Sequence, residues 1–281
     1  MLTVLLATST SVLFGAADFL GGLASRRDSA VAVTARAHTV GVPLFALSVL
    51  FMPPLLWGGG DIGWGIVAGV AGGIGVVSLY AALGIGRMSV VAPITAALAG
   101  SLPAVYDLAR GASLGPVSLT GLALALIATV IVSVAPGPAD EERPVTPLAV
   151  AFACAAGTGF AASFISFSFT GVDSGWLPLL VARVTSAGLL TVLTLSMRRT
   201  ISLDPSARTP AIGAGLLETA ANVTMLTAIR IGPLAVASVL GSLFPVVVIV
   251  LARFFLGERL MWMQRGGVAL ALLAVILTAM P

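Results

Sequence analysis

Apolar stretches of about 20 residues fill the chain almost from end to end, and this is the length that a helix needs to cross the hydrocarbon core of a bilayer. Short clusters of Arg, Asp, Gly and Pro separate them. Only 9% of the 281 residues are charged, and the mean hydropathy is +1.12, which excludes a soluble globular domain. We therefore predict an all-α membrane protein with ten transmembrane helices, near 2–22, 31–51, 64–84, 88–106, 116–135, 147–169, 176–196, 209–229, 233–252 and 262–280.

The basic residues indicate how these helices are oriented. All 14 are Arg, and most lie in the connections that follow the odd-numbered helices. Because cytoplasmic loops are enriched in Arg and Lys, this asymmetry predicts that those connections are cytoplasmic and that both termini lie outside. Orientation also explains the high isoelectric point, so we expect a lipid bilayer and no nucleic acid as partner.

The second half of the sequence repeats the first. GLALALIA (121–128) corresponds to GVALALLA (267–274), and GAADF (15–19) corresponds to FAASF (160–164). Further matches follow in the same order: IG at 85–86 and 231–232, AR at 35–36 and 182–183, and LAR at 108–110 and 251–253. The repeat unit is five helices.

A unit of five helices is odd, so its second copy must enter the membrane from the opposite side. We therefore predict two inverted-topology five-helix repeats within a single transmembrane domain (1–281), with repeat one at 1–135, a linker at 136–147 and repeat two at 148–281. This arrangement is typical of secondary transporters, whose sites lie between the halves near the midplane.

Glu218 and Asn222 interrupt an otherwise apolar helix in GLLETAANVTML (215–226). Glu218 lies near the middle of the bilayer, where a charged side chain costs on the order of 3 kcal/mol. Asn222 follows at i+4 on the same face, so both side chains must face protein or water. Two roles stay open: a carboxyl group, protonated or bonded to Asn222, that fixes the helix, or a group that titrates with transport or binds a substrate amine.

Other polar residues in the predicted helices are candidate site residues. Arg36 and Arg183 correspond in the repeat, and two guanidinium groups flanking a site could hold a carboxylate; each is also close enough to a helix end to reach the interface. His38 is a candidate proton relay or a packing hydrogen-bonding residue. Tyr80 completes the set. We predict no metal ligands, no catalytic residues and no cofactor.

Three phenylalanines, Phe160, Phe164 and Phe167, share one face of the sixth helix. Core packing is the ordinary interpretation of such a face, and an aromatic wall for an apolar substrate is the alternative. A membrane-embedded enzyme has no supporting motif, and neither does a channel filter.

The segment LFPVVVIVLARFFLGERLMWMQRGGVALALLAVIL (243–277), together with the intrahelical Arg36 and Arg183 and the ten-helix repeat, resembles the EamA-type members of the drug/metabolite transporter superfamily. LGERL (256–260) is the most specific part of the resemblance, and the first half departs from it with LGPVS (114–118). The resemblance implies a multi-pass protein of the bacterial inner membrane, expected as a monomer, that exports amino acids or related small metabolites by alternating access, with protons as a candidate coupling ion. Export of cationic drugs is the alternative.

Overall fold

The computed structural model describes residues 1–25, 27–50, 58–85, 88–134, 146–196, 204–255 and 261–279, except for some side chains within the helices. The described residues form helices and no strands. In chain order the helices are α1 (Leu2–Ser25), α2 (Ala30–Leu50), α3 (Gly59–Ile85), α4 (Met88–Ala109), α5 (Pro116–Val134), α6 (Pro147–Ser168), a one-turn 3₁₀ helix (Val172–Ser174), α7 (Leu177–Ser196), α8 (Pro205–Ile231), α9 (Leu234–Gly241), α10 (Phe244–Phe255) and α11 (Trp262–Ala279).

The predicted helices agree with the observed ones to within a few residues at each end, with one exception. The predicted helix at 233–252 is divided into α9 and α10. Pro245 has no N–H, so it cannot donate to the carbonyl of Gly241; instead Ser242 N donates to Ser238 O (3.0 Å) and Leu243 N to Leu240 O (3.2 Å). The predicted transmembrane segment at 233–252 is confirmed as the apolar span Leu234–Leu251, and a turn at residues 242–243 divides its helix. Most of the predicted linker 136–147, and LGERL (256–260), lie outside the described residues.

The helices have the length and surface of a multi-pass membrane protein. Among the described residues, eight spans are long and apolar enough to cross a bilayer, and two shorter apolar helices occur at Ile94–Ala109 and Pro116–Ile131. Large apolar side chains are exposed on the outside of the bundle, including Val105 (63%), Val192 (65%) and Leu272 (64%). Such exposure would be unfavourable in water but suits contact with lipid.

The main helix contacts join the first half of the chain to the second. α1 packs against α8, α3 against α6, α5 against α11, and α2 against α7. The register of α1 and α8 is antiparallel, because Thr10 Oγ1 lies 2.8 Å from Thr224 Oγ1 and Arg27 Nη1 donates to Ser206 O at 3.0 Å. The two halves are therefore interleaved, and the space at the centre is bounded by both.

Glycine lets several of these helices approach until backbone contacts backbone. A Cβ on Gly215 of α8 would overlap the carbonyl oxygen of Ala37 in α2, and a Cβ on Gly69 of α3 would lie 2.5 Å from the carbonyl oxygen of Ala182 in α7. Any larger residue would force these helices apart. The α2–α8 and α3–α7 crossings therefore fix the width of the central space.

Candidate substrate site

A cavity of about 150 Å³ lies at the centre of the bundle. Helices of both halves line it, including α1, α2 and α3 from the first half and α6, α7 and α8 from the second. Four ionisable side chains face it, and they are Asp18, His38, Arg183 and Glu218. The few convergent polar groups in a largely apolar lining are those of a small-molecule site.

Glu218 is paired with two nitrogen groups from neighbouring helices. Its Oε1 atom lies 3.0 Å from Nη1 of Arg183 and 3.2 Å from Nε2 of His38. The side chain of Arg183 is 5% exposed and that of Glu218 is 22% exposed, so the carboxylate is the part of the pair that faces the cavity. The carboxylate in the middle of α8 is therefore stabilised by an Arg from α7, a partner that is distant in sequence.

His38 connects this ion pair to the backbone of α7. Its Nδ1 atom lies 3.0 Å from Ser186 Oγ, and the Ser186 hydroxyl also lies 3.2 Å from the carbonyl oxygen of Arg183. A neutral imidazole accepts the hydroxyl proton at Nδ1, whereas an imidazolium donates to Oγ and leaves the hydroxyl free to donate to the carbonyl. Both protonation states of His38 therefore keep their hydrogen bonds.

Glycine and phenylalanine of α2 position the Arg183 side chain. The guanidinium carbon lies 5.9 Å from the centre of the Phe45 ring, within the range of a cation–π contact. A Cβ on Gly41 would lie 2.8 Å from Thr219 Oγ1 and 3.1 Å from Arg183 Nε. The absence of a side chain at Gly41 therefore makes room for the guanidinium beside α2.

Asn222 lines the cavity, but it does not bond to the carboxylate of Glu218. Its Nδ2 atom donates to the backbone carbonyl oxygen of Glu218 at 2.7 Å. The interpretation of Glu218 as a carboxyl group bonded to the Asn222 side chain is therefore wrong. Asn222 is held against its own helix on the same face as Glu218.

One wall of the cavity is aromatic. Phe160, Phe164 and Phe167 of α6 all line it, as do Gly69 and Gly72 of the neighbouring helix α3. The face that ordinary core packing would explain is therefore a surface of the cavity.

Arg36 lies away from this site. Its side chain is exposed and is not part of the cavity lining, whereas Ala37 and His38 are. Successive helical residues differ by about 100° in direction, so Arg36 cannot face the cavity together with His38. The predicted pair of Arg36 and Arg183 flanking the site is absent. The side chain of Tyr80 lies outside the described residues.

Asp18 is not among the site residues predicted from the sequence, and the structure adds it to the cavity. It lies on the same face of α1 as Phe14, Ala17 and Gly21, which also line the cavity. The sequence did contain a signal for this position, because Asp18 is a charged residue in an apolar helix and lies four positions after Phe14. Ser186 and Phe45 gave no signal, because hydroxyl and aromatic residues are common in membrane helices.

At the membrane face where α8 ends, Arg230 closes the turn between α6 and α7. Its Nη2 atom donates to Gly171 O (2.7 Å), Ser174 Oγ (3.0 Å) and Thr170 Oγ1 (3.2 Å), and its Nη1 atom donates to Gly175 O. Asp61, at the start of α3, accepts from Gly171 N at 2.8 Å. α3 and α8 are thereby both joined to the turn between α6 and α7.

Comparison with known sequences matches residues 147–280 to the EamA-like transporter family. This region is the second half of the chain and contains Arg183, Glu218 and Asn222. The second half of the chain is therefore similar to members of a transporter family. No curated protein matches the sequence.

The fold itself occurs in a solved structure titled "Crystal structure of protein". The two chains superpose with a TM-score of 0.76 at 16% sequence identity, and the alignment covers 98% of this chain and 95% of the other. This similarity extends to the first half, which the family match does not cover. It therefore shows that the whole chain adopts one known arrangement of helices.

Proposed function

We propose that this protein is a secondary carrier of the bacterial inner membrane that exports amino acids or related small metabolites by alternating access. The observation that supports it is the central cavity, which both halves line and which contains a charged wall and an aromatic wall. A solute with an ionic head group and an apolar side chain matches both walls. Glu218, Arg183, His38 and Asn222 are the proposed site residues from the sequence.

Alternating access requires two halves that can exchange conformations, and several observations support an inverted repeat. Each of four cavity-lining positions of α1 has a cavity-lining position of α6 that lies 146 residues later in the chain. The pairs are Phe14 and Phe160, Ala17 and Ser163, Asp18 and Phe164, and Gly21 and Phe167. The same spacing relates α3 to α8: Ala68 and Ala214, Gly72 and Glu218, and Val76 and Asn222. It also separates GLALALIA from GVALALLA.

Helix packing supports the same symmetry. Exchanging the halves turns the α1–α8 contact into α6–α3, and the α2–α8 contact into α7–α3, and all four contacts are present. The α2–α7 and α5–α11 contacts map onto themselves. This pattern is expected for a pseudo-two-fold axis in the membrane plane, and carriers with such an axis rock one repeat against the other about a central site.

Export of cationic compounds is the second candidate, and one observation favours it. The charge of Arg183 is already matched by Glu218 at 3.0 Å, so a substrate carboxylate would have to compete with Glu218 for the guanidinium. A cation meets no such competition. The head group of the substrate, more than its side chain, separates the two candidates.

Uptake of a pooled set of labelled amino acids by purified protein in proteoliposomes tests the carrier, with and without an imposed pH gradient. Saturable uptake above that of empty liposomes is expected, and its response to the gradient reports proton coupling. Competition by unlabelled amino acids against unlabelled organic cations then distinguishes the two substrate classes. No saturable uptake of either class would overturn the proposal.

A further inference from the structure

We propose that Asp18 binds the ammonium group of the transported solute and thereby selects amines and amino acids over solutes whose only charge is a carboxylate. This inference rests on the proposed function, because it assigns a head-group contact within the same cavity. It assigns to Asp18 the recognition role that Glu218 was expected to have. Asp18 would be a substrate-binding residue, and Glu218 a residue that positions the helices around it.

The two carboxylates of the cavity differ in their partners. Glu218 contacts both Arg183 and His38. Asp18 has no hydrogen bond and no ion pair with any residue that the structure describes, although its side chain is exposed to the cavity. A carboxylate at membrane depth without a counter-charge is unfavourable. Asp18 is therefore the carboxylate with unused capacity to accept hydrogen bonds.

The charge of the cavity favours a cation. With His38 neutral and both carboxyl groups ionised, the described ionisable side chains that line it carry one net negative charge, because Arg183 compensates Glu218 and no described residue compensates Asp18. The two carboxylates line the same cavity, so their negative charges repel each other. An ammonium group beside Asp18 would neutralise the cavity and remove this repulsion. A carboxylate in the same place would add to it.

The position of Asp18 fits a solute with an apolar group. The register between α1 and α8 places Asp18 about two residues, or roughly 3 Å along the helix axis, from the level of Glu218, toward the end of α1. Phe164 is the residue of α6 that corresponds to Asp18 by the 146-residue spacing, and it faces the same cavity. A single molecule can therefore place an ammonium group on α1 and an aromatic or aliphatic group on α6.

The test uses three labelled probes that share a phenyl ring and differ in head group: 2-phenylethylamine, phenylalanine and 3-phenylpropionate. Binding is measured on purified wild-type protein and on the Asp18→Asn, Asp18→Glu and Asp173→Asn variants. Asp173 is an exposed carboxylate in the α6–α7 turn, so its substitution is a matched control. Monodispersity and melting temperature establish that each variant is folded.

Asp18→Asn is expected to weaken binding of 2-phenylethylamine about tenfold or more, as for loss of a charge-assisted hydrogen bond. It should also weaken the binding of phenylalanine. The affinity for 3-phenylpropionate should stay unchanged or increase. Asp18→Glu should restore part of the amine affinity, and Asp173→Asn should match wild type. Equal weakening of all three probes, or unchanged amine affinity in Asp18→Asn, would overturn the assignment.

Uptake into proteoliposomes is measured on the same preparations, which separates the two proposals. If uptake persists and Asp18→Asn does not change the head-group selectivity, the role of Asp18 is overturned and the proposal of a carrier stands. Amine binding that depends on Asp18 without any uptake overturns the carrier and leaves the ammonium site.

Discussion

Nη1 of Arg183 lies 3.0 Å from Oε1 of Glu218, which joins α7 to α8 in the interior of the bundle. His38 of α2 reaches the same oxygen at 3.2 Å. Three helices are thus connected through one carboxylate atom that borders the cavity. α7 and α8 must therefore move together unless this ion pair breaks.

We expect Arg183→Met to destabilise the protein by about 3 kcal/mol, because it leaves Glu218 without its main counter-charge in a largely buried site. Thermal unfolding in detergent measures the effect. Arg36→Met, at an exposed position of α2, is the matched control and should change stability little. The double variant Arg183→Met with Glu218→Gln should recover part of the loss, since it removes both charges. Equal losses in the Arg183 and Arg36 variants would contradict the ion pair.

Gly41→Ala should reduce both stability and uptake. The added Cβ would approach Thr219 Oγ1 and Arg183 Nε, and overpacking of this kind costs about 1–3 kcal/mol. Gly188→Ala is the control, because a Cβ at Gly188 meets no atom within 4 Å. Unfolding curves and initial uptake rates of the two variants are compared directly. A larger effect at Gly188 would be inconsistent with the observed packing.

His38→Gln should make uptake of an amine less dependent on pH, because the imidazole is a titratable group in contact with Glu218. Protonation of His38 adds a positive charge beside Glu218 and Arg183 and within the cavity that contains Asp18. Wild-type uptake of a cation should therefore fall as the pH falls through the pKa of His38. Initial rates are measured with equal pH on both sides of the membrane. An unchanged profile in His38→Gln would assign any pH response to another group.

Arg230→Met should loosen the turn between α6 and α7, because it removes every hydrogen bond from the guanidinium to residues 170, 171, 174 and 175. Hydrogen bonds of charged groups contribute about 1.5–3 kcal/mol each when buried, and partial exposure here lowers the total to about 2 kcal/mol. Limited proteolysis at the turn should become faster than in Arg265→Met, which removes an exposed Arg at the start of α11. Identical cleavage rates would argue against a role for Arg230 in holding the turn.

The helices could be predicted from the sequence because an apolar run of about 20 residues has few alternatives to crossing a bilayer. The break between α9 and α10 could not, although Pro245 was visible, because proline in a membrane helix is tolerated as often as it interrupts. The family match at 147–280 supports the superfamily suggested by residues 243–277. The substrate and the topology remain proposals.

The site was only partly predictable. A glutamate at the bilayer midplane had to face protein or water, and Glu218 does line the cavity. Its partners could not be inferred, since Arg183 and His38 come from helices whose rotation the sequence does not specify. The predicted correspondence of AR at 35–36 with AR at 182–183 places the two halves 147 residues apart. The cavity residues of the two halves are 146 residues apart, so the predicted correspondence was shifted by one residue. One residue is about 100° of rotation, enough to turn Arg36 away.

The backbone-to-backbone crossings at Gly215 and Gly69 have a consequence for how the bundle can change shape. The atoms nearest an added Cβ at Gly215 are backbone atoms of Ala37, and those nearest one at Gly69 are two backbone atoms of Ala182 and the Cβ of Thr185. Rotation about such a point requires no rotamer to change and no cavity to open and refill. The two contacts can therefore serve as pivots. The side chains that must rearrange during such a rotation are then those of the ion pair and of the aromatic wall of the cavity.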